Sequence, residues 1–354
     1  MQRCLELARL GAGYVAPNPM VGAVLVHGGR IIGEGYHQLY GKAHAEVNCV
    51  AAVKEEDRPL IRDATMYVSL EPCAHFGKTP PCADLIIAQK IPRVVVGCRD
   101  PFPEVDGKGI EKLRAAGVEV EVGVLEEECK ALNRRFFTFH TRCRPYIVLK
   151  WAQSADGKIA AGAGGGSRSP KGDSRSRVLI SNDYSNRLVH KWRSEEAAIL
   201  VGTNTALSDD PALTVRLWTG QDPVRLVIDR ELRLPESLRL FDGAVRTIVF
   251  NTVRQEEMPD RNLLYYRLSK EDDLVSQIAR ALYELKIQSV LVEGGTQLLQ
   301  SFIDAGYWDE ARVITSNELE IPGGLAAPVL KKTRLQSVET LSSDTIRYYG
   351  NPLD

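Results

Sequence analysis

The stretch GKAHAEVNCVAAV, residues 41 to 53, carries two titratable side chains, His44 and Glu46, at the mouth of a helical pattern. Side chains two positions apart on a regular helix diverge by about 200°, so the pair shares a target only at a first turn. Downstream, EPCAHFGKTPPC holds Cys73 and Cys82, with eight residues between them. Zinc takes imidazole and thiolate in tetrahedral sites, and a catalytic zinc has three protein ligands with a fourth position open to water. His44, Cys73 and Cys82 supply that count. Pro72 places Cys73 at the end of an apolar strand, and Pro80-Pro81 places Cys82 where a helix begins, a setting that favours thiolates electrostatically. Glu46 is left free as a proton carrier. Two plainer readings stand beside this one: a merely capped helix, and a structural zinc site needing a fourth ligand, for which His75 and Cys49 are the nearby candidates.

The elements that must position these residues alternate strand and helix. A hairpin pattern, MVGAVLVHGGRIIGEGY, precedes the helix from His44. ATMYVSLEP, RVVVG and VEVEVGV read as strands, separated by a helix after Pro80-Pro81 and the helix GIEKLRAAG. One last helix runs through EEECKALNRRFF. Near Arg142 to Pro145 the pattern restarts with PYIVLKWAQSADGKIA, and the alternation repeats to EARVITS. A chain of 354 residues exceeds one usual core, so two α/β domains are expected, 1–143 and 144–354, with largely parallel, covered sheets. The segment GAGGGSRSPKGDSRSR from Gly162 reads as a surface loop. The net charge of -1 provides no basic field for nucleic acid or anionic membrane. The longest uncharged run, residues 10 to 29, contains Pro17 and Pro19 and does not read as a membrane span. Seven cysteines in a chain without a secretory pattern read as reduced thiols and metal ligands of a cytoplasmic protein.

Zinc deaminases of nucleobases show H-x-E followed by P-C-x-x-C, with the Glu not a ligand. H-A-E and P-C are present here, but the second cysteine comes at C-x8-C. That spacing, with PNPMVGAV (17 to 24), GEGYH (33 to 37), HAEV (44 to 47), EPCAHFGKTPPC (71 to 82) and the DP of RDPFP, closely resembles the deaminase domain of the bifunctional riboflavin-biosynthesis family, a diaminohydroxyphosphoribosylaminopyrimidine deaminase joined to a 5-amino-6-(5-phosphoribosylamino)uracil reductase. The resemblance implies a cytidine-deaminase-like three-layer domain in which His44, Cys73 and Cys82 bind one Zn2+ and Glu46 shuttles protons. Zinc lowers the pKa of its water to about 7, so that hydroxide is available for attack on C2 of the pyrimidinone. The substrate implied is a small phosphoribosyl pyrimidine, with contacts from Asn18, His37, His75, Lys78 and Asp100. Phe102 departs from the family's D-P-N-P.

In the second half, the turn VLVEGGTQLL offers Gly294-Gly295 and the helix start near Thr296 to a phosphate, or is a plain tight turn. It is not the G-x-G-x-x-G pattern of a Rossmann fold. LKWAQSADGKIA, VGTNTALSDDPALTVR and VEGGTQLL resemble the reductase domain of the same family, which implies a dihydrofolate-reductase-like α/β fold and NADPH. Carried across, Ala152, Thr205, Asp209 and the turn Gly295, Thr296, Gln297, Leu298, Leu299, Gln300 and Ser301 contact NADPH, while Arg193, Leu213, Arg216 and Glu293 contact the substrate. Two arginines suit a ribose phosphate. Lys150, at the end of its strand, and Asp209 lie near the carbon that receives hydride. Asp209 and Asp210 also read as a cap in S-D-D-P. Arg177, Leu179 and Arg230 depart from the family, and an arginine at position 230 suits the 2′-phosphate of NADPH. The family implies a homo-oligomer, a dimer or larger. The competing readings are a nucleic-acid base deaminase, which the charge and the cysteine spacing disfavour, and a deaminase with a non-catalytic second domain.

Overall fold

The computed structural model describes residues 1–76, 80–161 and 178–352, so Lys78 and the Gly/Ser segment 162–177 lie outside the described residues. The chain divides into two compact units, Met1–Cys143 and Arg144–Asp354.

The first unit contains α1 (Gln2–Arg9), the hairpin β1 (Gly22–His27) and β2 (Arg30–Tyr36), α2 (Ala45–Ala51), β3 (Thr65–Leu70), α3 (Cys82–Ala88), β4 (Arg93–Cys98), α4 (Lys108–Ala115), β5 (Glu119–Val122), α5 (Glu126–Leu132) and α6 (Arg134–Arg142). Its sheet runs β2-β1-β3-β4-β5, with β1 antiparallel to both neighbours and β3, β4 and β5 parallel. The pattern of alternation explains the layers. Leu25, Met66, Val68, Val94 and Val96 face α2, α3 and α4 through Ala45, Cys49, Ala83, Ile86 and Leu113. Val24, Val26 and Tyr67, of the opposite parity, pack on Cys4 and Leu7 of α1, and at the strand ends Leu70 and Cys98 meet Leu5 of α1 and Cys129 of α5. The result is a three-layer helix–sheet–helix unit. One helix expected through EEECKALNRRFF is two, because the chain breaks at Asn133. Its buried amide accepts from Met20 N–H at 2.8 Å and donates to Met20 O at 2.9 Å, tying the break to the loop before β1.

Glycines set the seat of α2. A Cβ at Gly33 would stand 2.6 Å from the carbonyl oxygen of Cys49, and one at Gly35 would stand 2.2 Å from Cys49 N and 2.6 Å from Ala45 O. The backbone of α2 therefore lies directly on β2, which only a residue without a side chain permits.

The second unit contains β6 (Tyr146–Gln153), β7 (Lys158–Ala160), α7 (Asp183–Glu195), β8 (Ala198–Val201), α8 (Thr203–Asp209), β9 (Val224–Ile228), β10 (Thr247–Asn251), β11 (Glu256–Met258), β12 (Leu263–Arg267), α9 (Leu274–Glu284), β13 (Ser289–Val292), α10 (Thr296–Ala305), β14 (Glu310–Ser316), β15 (Leu325–Ala326), β16 (Arg334–Leu341) and β17 (Asp344–Gly350). Ten strands form one sheet in the order β11-β12-β10-β9-β8-β13-β6-β14-β17-β16. The stretch from β12 to β14 is parallel and its edges are antiparallel. Helices α9 and α10 cover one face through Ile278, Leu282, Leu299 and Phe302. On the other face α8 contributes Ala206 and α7 contributes Val189 and Trp192. Lys150 lies inside β6, which continues to Gln153, rather than at its end.

Candidate functional site

The first site is built where three element ends meet. His44 is the residue before α2, with extended backbone angles (φ -73, ψ 169), and Glu46 is the second residue of that helix. The two share a target because His44 is not yet helical. Cys73 follows β3, and Cys82 is the first residue of α3. The Nδ1 of His44 stands 3.6 Å from the Cys73 sulfur and 3.4 Å from the Cys82 sulfur, and the three donor atoms lie within 4.8 Å of one another. A tetrahedral zinc with bonds of about 2.3 Å to sulfur and about 2.1 Å to nitrogen separates N from S by about 3.6 Å, so these donors fit zinc. Cys49, buried in the core and bonded to Gly33 O, and His75 do not join them, which leaves a trio among the described residues.

Protons are already crowded there. The Cys73 thiol is held down at about 4 by its hydrogen bond with Cys82 and, against the effect of burial, by His44 and the Cys82 backbone N–H, which donates to its sulfur at 3.3 Å. The Cys82 thiol is pushed far up by the same sulfur and by burial. His44 is raised, chiefly through its bond to Cys73. Such an electron-rich trio is one that a dication relieves by displacing the shared proton. Glu46 is 3 % exposed, and burial pushes its carboxyl up to about 7.

Around the trio stand most of the residues named from the sequence. His37 is buried, its Nδ1 bonds to Ala43 O at 3.0 Å, and its Nε2 lies 3.1 Å from the Asn18 amide. A carbonyl partner makes Nδ1 the donor, so Nε2 accepts from Asn18 and the ring is neutral, in line with the lowering of its pKa by burial. The His37 and His44 rings meet edge to face at 5.4 Å. His75 has a buried Nδ1 that bonds to nothing among the described residues, and its ring packs on Phe102, which packs in turn on His140 of α6. Asp100, 6 % exposed, accepts from Phe102 N–H at 2.8 Å, and burial raises its carboxyl to about 7.

In the second unit Glu293, after β13, binds Arg193 of α7 through two contacts of 2.8 Å, and Lys150 stands 3.6 Å from it. Burial pushes the Glu293 carboxyl up, but Arg193 and Lys150 outweigh it and hold it down at about 2. The guanidinium expected to face a phosphate is thus bonded within the chain, with Thr214 O as a further partner. Arg216 donates its backbone N–H to His190 Nδ1 at 3.0 Å. Thr205 Oγ1 accepts from Gly295 N–H at 3.1 Å, which joins α8 to the turn before α10. Within that turn Leu298 and Leu299 point into the core, Thr296 and Gln300 bond to the segment around β15, and Ser301 bonds back to Gln297 O. Leu213 is buried in the core at a left-handed φ of 52. Ala152 packs beside α7 on β6, Asp209 ends α8, and Asp210 is its C-cap, bonded to Arg239. Beyond the residues named from the sequence, Thr203, Arg233, Thr252 and Lys270 join Arg230 around a cavity of about 270 Å³ beside β9. They come from four separate loops and helix starts, so no local motif marks them.

Comparison with known proteins decides what these two units are. The family described as cytidine and deoxycytidylate deaminase zinc-binding region matches residues 1–98, and the RibD C-terminal domain matches residues 145–342. Riboflavin biosynthesis protein RibD of Aquifex aeolicus is 41 % identical, covering 99 % of this chain and 97 % of that one. The chain belongs to the RibD family. RibD of Escherichia coli is 36 % identical over 90 % of this chain and 87 % of its own. Among solved structures, the deaminase/reductase of Thermotoga maritima matches with a TM-score of 0.85 at 40 % identity, and Acinetobacter baumannii RibD with 0.87 at 31 %, each covering 99 % of this chain and 97 % of that one. As a RibD protein the chain is a bifunctional enzyme of riboflavin biosynthesis, with a zinc-dependent deaminase domain of the cytidine-deaminase kind and a reductase domain with the dihydrofolate-reductase-like fold. No helix among the described residues is long and apolar enough to cross a membrane.

Proposed function

We propose that the first unit hydrolyses the 2-amino group of 2,5-diamino-6-ribosylamino-4(3H)-pyrimidinone 5′-phosphate, and that the second reduces the ribosyl group of the product to ribityl with NADPH. The observation that carries this reading is the approach of His44 to Cys73 and Cys82 at 3.6 and 3.4 Å with the buried Glu46 beside them. His44, Cys73 and Cys82 would hold zinc, which supplies the Lewis acidity that makes water a nucleophile near neutral pH. Glu46 takes one proton from the water and gives it to a ring nitrogen as oxygen bonds to C2. It then takes the second from the hydroxyl now on C2 and gives it to the amine as the C–N bond breaks, so that ammonia leaves and a carbonyl remains at C2. Asn18, His37, His75, Lys78 and Asp100 bind the nucleotide. The Nδ1 of His75 supports that role, for a buried polar atom without a partner among the described residues is suited to a ligand.

In the second unit NADPH would supply hydride. Ala152, Thr205, Asp209 and the backbone of 295–301 would hold it, and Arg230, Arg233 and Lys270 would receive its 2′-phosphate in the cavity they line with Thr203. Lys150 and Asp209 attend the reacting sugar carbon, Glu293 orients both Lys150 and Arg193, and Arg193, Arg216, Glu293 and the backbone at Leu213 line the substrate. A homo-oligomer belongs to the same reading. The edge strand β16 supports it, because seven of its eight residues are exposed, Leu335 and Val338 among them. Zinc analysis coupled to assays of ammonia release and NADPH oxidation on the pyrimidine nucleotide tests the whole. A zinc-free protein that still releases ammonia, or a chain that deaminates but never oxidises NADPH, would refute the respective half.

A further inference from the structure

The motif EPCAHFGKTPPC contains one buried charge that neither zinc binding nor proton transfer uses. Glu71 is 4 % exposed. Its Oε2 accepts from Asp100 N–H at 3.2 Å and Gly107 N–H at 3.0 Å, and its Oε1 accepts from Gly109 N–H at 3.0 Å and Ile110 N–H at 3.2 Å. All four donors are backbone amides of the segment that follows β4, and the last two open α4, where a negative charge is favoured. The other end of the residue is fixed as well, because Glu71 N–H donates to Cys98 O at 3.0 Å. Contact is also direct at the next residue: a Cβ at Gly109 would stand 1.8 Å from Pro72 O, so the start of α4 lies against the backbone leading into Cys73.

The geometry points to Glu71 as a positioning residue of the deaminase, which ties the loop bearing Asp100 and Phe102 to the strand end bearing Cys73. The carboxylate holds both ends of that loop, at Asp100 and at Gly107, and fixes the distance from the substrate-facing Asp100 and the Phe102–His75 packing to the metal ligands. Gln in its place keeps one accepting oxygen but turns an amide NH2 toward the other pair of N–H groups, so either both ends of the loop, at Asp100 and Gly107, or the start of α4, at Gly109 and Ile110, lose their anchor. This inference rests on the reading of Asp100 as a substrate contact.

The test uses the full zinc-loaded chain in four forms: unaltered, Glu71→Gln, Asp100→Asn and both together. Zinc per chain, kcat and KM for deamination of the pyrimidine nucleotide, and reduction of the deaminated product are measured. Displacement of a positioned group costs up to about a hundredfold, so Glu71→Gln is expected to lower kcat/KM for deamination about tenfold to a hundredfold, mostly through KM, with zinc content and reduction unchanged. The double variant should be no worse than Asp100→Asn alone. An unaltered kcat/KM in Glu71→Gln, a loss of zinc, or effects that multiply in the double variant would overturn the inference. An inert Asp100→Asn beside an impaired Glu71→Gln would instead overturn the reading of Asp100. If Glu71→Gln does not fold, Glu71→Asp, which keeps the charge and shortens its reach, should show a smaller rise in KM, and no rise would count against the inference.

Discussion

Replacing Glu293 with Gln should cost the second unit about 3 kcal/mol at neutral pH and nothing near pH 2. The carboxylate sits between Arg193, two contacts at 2.8 Å, and Lys150 at 3.6 Å, with the three side chains 10 to 14 % exposed. A carboxyl held at about 2 rather than 4.5 contributes about 3 kcal/mol at about 1.4 kcal/mol per tenfold change in proton affinity. Removing one partner of a buried pair costs about 3–5 kcal/mol, which agrees. The sign follows from the depressed pKa: the contribution is complete above pH 4.5 and disappears as the pH falls toward 2. All four tryptophans, Trp151, Trp192, Trp218 and Trp308, belong to this unit, so their fluorescence follows its unfolding alone. At about 2–4 °C per kcal/mol for a domain of this size, Glu293→Gln should unfold about 6–12 °C lower at pH 7. The gap between the two proteins should close between pH 4.5 and 2. A gap that is absent at pH 7, or constant with pH, would refute the reasoning, for then desolvation would already cancel the attraction.

Glu46→Gln should leave zinc in place and slow ammonia release by about 10²–10⁴; loss of the metal together with activity would show that Glu46 is a ligand instead. Cys82→Ser should lower zinc per chain, measured by metal analysis of the dialysed protein, and a full complement of zinc would reject Cys82 as a ligand. Lys150→Ala should slow reduction and spare deamination, whereas equal loss of both would contradict two separate sites. Arg230→Ser should weaken NADPH binding in a fluorescence titration without changing NADH binding, since only the former carries the 2′-phosphate; equal weakening of both would remove Arg230 from that subsite.

Much of this was legible because local chemistry and tertiary position agree. His44, Cys73 and Cys82 each sit at an element end that proline or a change of hydrophobic period marks, and the structure brings their donor atoms together. What stayed hidden lacked such a mark. The break at Asn133 depends on Met20, more than a hundred residues earlier. Strand β16 carries no mark in the sequence, because both its faces are exposed and no alternation is written into RLQSVETL. Helix α8 buries only Ala206 and shows no stripe. Glu71 looked like part of a motif, yet its partners are backbone amides, which no sequence displays. Leu298 and Leu299 stand among the expected cofactor contacts, yet their side chains supply core, so at those two positions only the backbone is left to meet a ligand.

The two glycines of GEGYH have a consequence for how this enzyme would tolerate change. A random-mutation screen scored by zinc content should return Gly33 and Gly35 as often as the metal ligands, although neither touches a donor atom. Any side chain at either position must lift α2 from β2, and His44, carried at the tip of that helix, would leave the two cysteines behind.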